Sequence, residues 1–91
     1  MSTPVRRNTH LDQFELDTDA GVAVLRYHLS PGKITLWHTE VPAALRGRGL
    51  GAELARGALE SIRQEGLELV VRCSFLQWFL QQHPEFRDLA R

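Results

Sequence analysis

Cysteine is nearly absent from this sequence, and so is any long hydrophobic run. The only cysteine is Cys73. One thiol cannot build an intrachain disulfide framework, so a reducing cytoplasm is the expected compartment. No apolar stretch approaches the roughly 20 residues that cross a bilayer. The segment from Met1 to His10 is polar and lacks the apolar centre of a signal peptide, so we expect no membrane partner.

An excess of charge of either sign is also missing. The 91 residues carry 11 basic and 11 acidic side chains, and the formal net charge is zero. This balance disfavours nucleic acid as a partner, because no basic stripe is available for the phosphate backbone. Lysine occurs once, as Lys33, so arginine supplies most of the positive charge. Arginine suits forked recognition of phosphate, although codon usage explains the same bias equally well.

The length of the chain predicts one small domain, expected over 1–91. Residues 1–10 are expected to form a loose arm or a first edge segment. Alternation of apolar and polar residues then predicts strands at 13–18, 22–29 and 33–41. The short turns between them contain glycine or proline, so the strands should form an antiparallel meander. One face of the second strand is expected to carry Ala23, Leu25, Tyr27 and Leu29.

The second half of the chain predicts two helices with a strand between them. An amphipathic helix is expected from Leu50 to Glu65, followed by a strand over 67–71. After a crossover helix, that strand should lie parallel to an earlier one. Ser74 and Gln77 have the spacing of a capping box that opens the second helix. The predicted order is β-β-β-α-β-α, a mixed sheet in an α/β (α+β) fold.

A glycine-rich segment separates the third strand from the first helix. Arg46-Gly47-Arg48-Gly49-Leu50-Gly51 alternates glycines with arginines and is followed by Ala52. Glycines allow a ligand to approach the main chain closely, and a helix N-terminus adds unpaired N–H groups with a partial positive charge. The segment therefore predicts a binding site for an anion, most often phosphate.

Three phosphate-binding motifs compete for this segment. A P-loop requires Gly-Lys-Ser/Thr, which the chain lacks. Gly47-x-Gly49-x-x-Ala52 satisfies the dinucleotide pattern, but that motif opens a βαβ unit in a larger parallel sheet, whereas three meander strands precede it here. The pyrophosphate loop of the GNAT acetyltransferases, Gln/Arg-x-x-Gly-x-Gly/Ala, is filled at every position from Arg46 to Gly51. A glycine-rich turn that binds nothing is the remaining alternative.

Other segments extend this resemblance. His38-Thr39-Glu40-Val41-Pro42, the glycine loop, Cys73-Ser74-Phe75 and His83-Pro84-Glu85-Phe86 together resemble the small single-domain GNAT-like proteins of the YjdJ type. The resemblance covers residues 13–87 and implies a GNAT-like topology that binds acetyl-CoA or coenzyme A. It also implies that two parallel strands splay apart beside the loop and hold the pantetheine arm. The residues it assigns to this ligand are Val41, Arg46, Gly47, Arg48, Gly49, Leu50, Gly51 and Ala52.

Three side chains are candidates for the chemistry. His38 and Glu40 share one strand face, and either could take a proton from an amine. The resemblance favours His38 and leaves Glu40 open. Cys73 precedes a helix N-terminus, where a thiolate is favoured, although most free cysteines are simply small buried hydrophobes. In a GNAT-like gap it would face the thioester and either relay the acetyl group or protonate the leaving thiolate.

The expected function is acetyl transfer from acetyl-CoA to an unidentified acceptor, with an amine as the expected class. The alternative is a CoA-binding or regulatory module that transfers nothing itself. No metal is expected, because His38-x-Glu40 matches only half of the zinc-deaminase signature and Pro-Cys-x-x-Cys is absent. Apolar sheet edges leave a homodimer open. Aromatic residues expected in the core or in a pocket wall are Trp37, Phe75, Trp78 and Phe79.

Overall fold

The computed structural model describes residues 5–90. Within this range five strands form one sheet, whose spatial order follows the chain: β1 Arg6–Asn8, β2 Gln13–Thr18, β3 Gly21–Ser30, β4 Lys33–Glu40 and β5 Glu68–Val71. Two α-helices follow β4 and β5, and they are α1 Leu50–Glu65 and α2 Ser74–Gln82. Short 3-10 segments lie before α1 and after α2, at Ala43–Leu45 and Pro84–Leu89.

The sheet is mixed because its last strand runs with its neighbour. Strands β1 to β4 pair antiparallel in sequence, whereas β5 pairs with β4 in parallel. Helix α1 is the crossover connection that a parallel pair requires. The predicted meander, crossover helix and α/β (α+β) class are therefore confirmed. Arg6–Asn8, where we expected a loose arm or a first edge segment, form an edge strand; residues 1–4 lie outside the described range.

One face of the sheet packs against both helices. Apolar side chains from β2 to β5 join those of α1 and α2 in one buried cluster, which includes Phe14, Leu25, Tyr27, Leu36, Leu54, Leu59, Ile62, Leu76 and Phe79. Leu29, which we expected on the same strand face as Ala23, Leu25 and Tyr27, differs from these buried residues in being 52% exposed. Pairing between β2 and β3 ends at Arg26, so Leu29 has a neighbouring strand on one side only.

Helix α2 does not begin with the predicted capping box. Cys73 is the N-cap residue, in extended conformation, and no side chain caps the helix. Ser74 is already helical, so its hydroxyl lies one position too late to accept a bond as an N-cap group does. The thiol of Cys73 therefore lies directly at the first turn of α2.

The sheet face away from the helices carries a buried carboxylate. Glu15 is 6% exposed, and its Oε2 accepts hydrogen bonds from Gln13 Nε2 at 2.5 Å and Asn8 Nδ2 at 3.0 Å. Its Oε1 lies 2.9 Å from Arg6 Nη2. The hydrogen bond from Gln13 lowers the pKa of Glu15, with smaller contributions from Asn8 and Arg6. This network links the side chains of β1 and β2.

Arg7 connects β1 to the C-terminal end of α1. Its guanidinium lies 5.0 Å from the ring centre of Tyr27 and 5.5 Å from that of Phe14. Its Nε donates to the hydroxyl of Tyr27 at 3.1 Å, and its Nη1 pairs with Glu65. The side chain is only 19% exposed. Arg7 therefore satisfies the one polar group of a tyrosine that is otherwise in the core.

We expect Arg7→Ala to lower the free energy of unfolding by about 2 kcal/mol, because it removes a cation–π contact and a charged hydrogen bond from a half-buried position. Arg26→Ala is the matched control, since Arg26 is exposed on β3 and has no ion pair among residues 5–90. Its change should stay within about 0.5 kcal/mol. Urea denaturation measures both, and equal losses would contradict the role given to Arg7.

Candidate functional site

Strand β4 contains a bulge immediately before the candidate site. Tyr27 of β3 pairs with Leu36, and the next residue back, Arg26, pairs with His38, so Trp37 is an extra residue on β4. A bulge of this kind bends its strand and disrupts the ladder locally. Pairing between β4 and β5 stops at Leu36, where the amide of Arg72 donates to the Leu36 carbonyl at 2.8 Å.

Hydrogen bonding between the two parallel strands ends at Leu36, because β5 itself ends at Val71. Strand β4 continues through His38 to Glu40, but within residues 5–90 this stretch has no partner on the β5 side. Its backbone therefore presents an open edge beside the end of β5.

Thr39 and Cys73 meet across the gap. The register pairs Thr39 with Leu25, which places its side chain on the face that packs against the helices. Its Oγ1 lies 3.2 Å from the Sγ of Cys73. Cys73 is only 9% exposed, so the thiol is largely buried at this junction of β5 and α2. Sequence reasoning overlooked Thr39, although the two-residue period already places it opposite the face of His38 and Glu40.

His38 and Glu40 lie on the other face of β4. They pair with Arg26 and Val24 of β3, and His38 Nε2 lies 3.8 Å from Glu40 Oε1. Their side chains are 43% and 61% exposed. Within the described part of the chain, the ring of His38 contacts Glu40 and Trp37 but makes no hydrogen bond to Cys73. The imidazole and the thiol therefore lie on opposite faces of β4.

Trp37 does not occupy the core. It is 39% exposed, stacks on His28 with ring centres 5.2 Å apart, and tilts against His38 at 5.6 Å. A core position is not observed for this residue, because Trp37 follows the buried Leu36 and successive side chains of a strand point to opposite faces. Phe79, in contrast, is fully buried, as expected.

The glycine loop reaches α1 through two residues in the left-handed region. Gly47 has φ of 84° and Gly49, the N-cap of α1, has φ of 77°. L-residues with side chains rarely adopt such values, so the backbone requires glycine at both positions. A Cβ added at either position would meet nothing within 4 Å. The loop surface is therefore open rather than packed.

A row of backbone amides is left unpaired along this surface. The first helical bond runs from the amide of Glu53 to the carbonyl of Gly49, and the amide of Arg48 bonds to Leu45. No acceptor within residues 5–90 serves the amides of five neighbouring residues, which are Gly47, Gly49, Leu50, Gly51 and Ala52. Together with the helix dipole, this row can bind an anion.

Two arginines flank the amides without acidic partners. Arg46 and Arg48 are exposed, and neither has an ion pair among the described residues. Arg63, in contrast, makes a two-pronged contact to Asp88 at 2.8 and 2.9 Å. The cations beside the loop thus remain available to a ligand.

A cavity of about 280 Å³ lies between the loop, the start of α1 and the side of α2. All the predicted ligand contacts except Arg48 line it: Val41, Arg46, Gly47, Gly49, Leu50, Gly51 and Ala52. The remaining wall consists of Leu45, Phe75 and Trp78, so these two aromatic residues take the pocket-wall position. A Cβ on Gly51 would lie 3.0 Å from Cζ of Phe75, so glycine allows α1 and α2 to approach closely here.

A second cavity, of about 250 Å³, adjoins the first at the end of β4. It is lined by Val22, Glu40, Val41, Pro42 and Arg46, so the two cavities share Val41 and Arg46. One cavity therefore contains the anion-binding amides, and the other contains the carboxylate of Glu40.

Residues 5–90 contain no group of three histidine, cysteine, aspartate or glutamate side chains placed to hold a metal ion. Among the helices in this range, none has the length and apolar character to cross a membrane.

The class of protein is shown by comparison of the sequence with known families. Residues 13–89 match the model of the GCN5-related N-acetyl-transferase family. The chain therefore belongs to this family, and the family assigned from the glycine loop and its flanking motifs is confirmed.

Curated relatives include Protein NATD1 from several vertebrates. The protein from Bos taurus is 43% identical over 70 residues, which cover 76% of this chain and 62% of that protein. The one from Homo sapiens is 40% identical with the same coverage. The chain thus spans less than two thirds of the length of these relatives.

A solved structure shares the fold. A GCN5-like protein from Staphylococcus aureus, determined by NMR in solution as a candidate N-acetyltransferase, superposes with a TM-score of 0.75 at 22% identity. The match covers 99% of this chain and 89% of that one. At this level of identity the likeness concerns the fold.

The Thr39–Cys73 contact makes a testable prediction. A thiolate accepts hydrogen bonds but cannot donate them, so the Thr39 hydroxyl is the donor whenever Cys73 is ionised. Thr39→Val keeps the volume but removes this donor, and it should slow alkylation of Cys73 by iodoacetamide several-fold. Thr39→Ser, the control, should keep the wild-type rate. The chain has one cysteine, so the rate reports this thiol alone; unchanged alkylation in Thr39→Val would contradict the prediction.

Proposed function

We propose that this protein binds acetyl-CoA, with the pyrophosphate on the glycine loop, and transfers the acetyl group to an amine. The observation that carries the proposal is the row of amides at Gly47 and from Gly49 to Ala52, which have no acceptor within residues 5–90 and lie on an open surface. Backbone donors at a helix N-terminus suit a phosphate group. The unpaired guanidinium groups of Arg46 and Arg48 supply further positive charge, in the forked form that phosphate favours.

The open edge of β4 supports a path for the pantetheine arm. An extended, amide-containing chain can add to an exposed strand edge as a further strand does. Beyond Leu36 this edge has no β5 neighbour, and it leads from Val41, in the wall of the loop cavity, toward Cys73. We infer that the backbone of Val41 pairs with a pantetheine amide and that the thioester comes to lie near the thiol.

In direct transfer, the amine nitrogen forms a bond to the thioester carbonyl carbon, and the carbon–sulfur bond breaks. The nitrogen loses a proton and the departing CoA thiolate gains one. His38 or Glu40, on the open face of β4, is proposed to accept the first proton. Cys73, on the helix side, is proposed to supply the second or to carry the acetyl group as a thioester in between. Holding the amine beside the thioester at this strand end would contribute chiefly through positioning.

CoA binding is tested with two glutamate substitutions. Gly49→Glu should abolish binding, because it places a carboxylate among the amides. Gly32→Glu is the matched control: Gly32 has φ of 73° and nothing within 4 Å of an added Cβ, like Gly49, but it lies in the turn between β3 and β4. Both variants carry the same backbone strain, so only the anion site differs. Calorimetric titration reports affinity, and a wild-type protein that gives no heat at about millimolar CoA would refute the proposal.

Acetyl transfer is tested by CoA release from acetyl-CoA with amines, polyamines and peptides as acceptors. We expect His38→Ala to lower kcat/KM by about 10²-fold or more, as loss of a general base does. His10→Ala, at an exposed histidine in the β1–β2 turn, should leave it unchanged. Cys73→Ala should also lower kcat/KM. If Cys73 carries the acetyl group as a thioester, the intact mass of the wild-type protein should rise by one acetyl group. Unchanged CoA release in both His38→Ala and Cys73→Ala would contradict the roles proposed for these residues. A wild-type protein that binds CoA but acetylates none of the acceptors would favour the alternative function, a CoA-binding or regulatory module.

A further inference from the structure

We propose that Trp78 forms a stacking platform for the adenine base of CoA. The inference rests on the proposed function and adds a ligand contact that the glycine loop does not supply. Trp78 is 52% exposed, and its side chain forms part of the wall of the cavity beside the anion-binding amides.

Packing of the hydrophobic core does not explain why a tryptophan stands at position 78 of α2. The buried residues of this helix are Leu76 and Phe79, whereas Trp78 points away from them and rests on Phe75, with ring centres 5.8 Å apart. Phe75 in turn packs against Gly51 at the start of α1. These contacts form an aromatic ledge, Phe75 and Trp78, that runs outward from the anion-binding loop.

The direction in which the aromatic ledge runs indicates which part of CoA lies beside Trp78. The pantetheine arm must run from the loop toward Cys73, which precedes the first turn of α2. Trp78 lies five residues further along the chain, about 7.5 Å along the helix axis from Cys73. The ligand portion on the far side of the pyrophosphate from the thioester is the adenosine. A planar base has a π face suited to a half-exposed indole, and base–aromatic stacking is a substantial source of affinity.

The aromatic ledge and the row of backbone amides are adjacent, which further indicates what binds at Trp78. The ledge and the amides line one cavity, so a ligand held by its phosphate on the loop brings its neighbouring group onto Trp78. Trp37, the other tryptophan, lies on the opposite face of the sheet beside His28 and provides an internal control.

The test compares CoA with 4′-phosphopantetheine, which lacks the adenosine, its 3′-phosphate and one phosphate of the pyrophosphate; the comparison of variant with wild type for each ligand isolates the part that Trp78 contacts. We expect Trp78→Ala to bind CoA about tenfold more weakly than wild type does and to bind 4′-phosphopantetheine with unchanged affinity. Trp78→Phe should recover most of the loss, because it retains an aromatic face. Trp37→Phe should bind both ligands as wild type does. Because Trp78 is half exposed, these variants are expected to keep the wild-type urea midpoint, which is checked alongside.

A spectroscopic measurement gives an independent outcome. In Trp37→Phe the only indole is Trp78, and stacking on adenine should quench its fluorescence when CoA binds but not when 4′-phosphopantetheine binds. No quenching with CoA, or an equal loss of affinity for the two ligands in Trp78→Ala, overturns the adenine assignment. Failure of the wild type to bind CoA at all overturns the proposed function and this inference with it. Binding of CoA that is insensitive to Trp78→Ala overturns this inference alone.

Discussion

Past Leu36, β4 stays paired with β3 but no longer has β5 as a hydrogen-bonded neighbour. The rest of the candidate site depends on this open edge. The extra residue Trp37 bends the strand, and β4 and β5 share a ladder only from Lys33 to Leu36 on the β4 side. A continuous parallel pair would close the edge of β4 and leave no space between Thr39 and the end of β5. Because β5 does not continue beside the end of β4, one backbone edge of β4 remains open, and a largely buried thiol lies beside it.

The anion site depends on a different constraint, which is local. Gly47 and Gly49 take positive φ values that return the chain into α1 with several amides facing outward. Nothing packs over these glycines, whereas Gly51 is constrained by the ring of Phe75. The same glycine-rich segment thus meets two demands. Backbone conformation requires glycine at its first two positions, and close approach of the two helices requires it at the third.

The division of the site between the two faces of β4 has a chemical consequence. His38 and Glu40 are solvent-accessible, so a proton taken up there can pass to water. Cys73 lies in a drier place, hydrogen-bonded to Thr39. The groups that we propose to act on the acceptor and those that we propose to act on the thioester therefore lie in different surroundings at one strand end. The shared residues Val41 and Arg46 join the cavities of the two faces.

Local patterns in the sequence were sufficient for much of this protein. Alternation and turn residues determined β2 to β4, helical periodicity determined α1, and the Arg46–Gly51 motif with its flanking segments determined the family. Long-range packing decided the rest. Leu29 is exposed because β2 does not extend beside it, the bulge in β4 places Thr39 rather than His38 on the helix side of the sheet, and the N-cap of α2 shifts from Ser74 to Cys73. The Thr39–Cys73 contact and the aromatic wall beside the loop arise only when β4, β5 and α2 come together, because residues this far apart in sequence have no local signal of their contact.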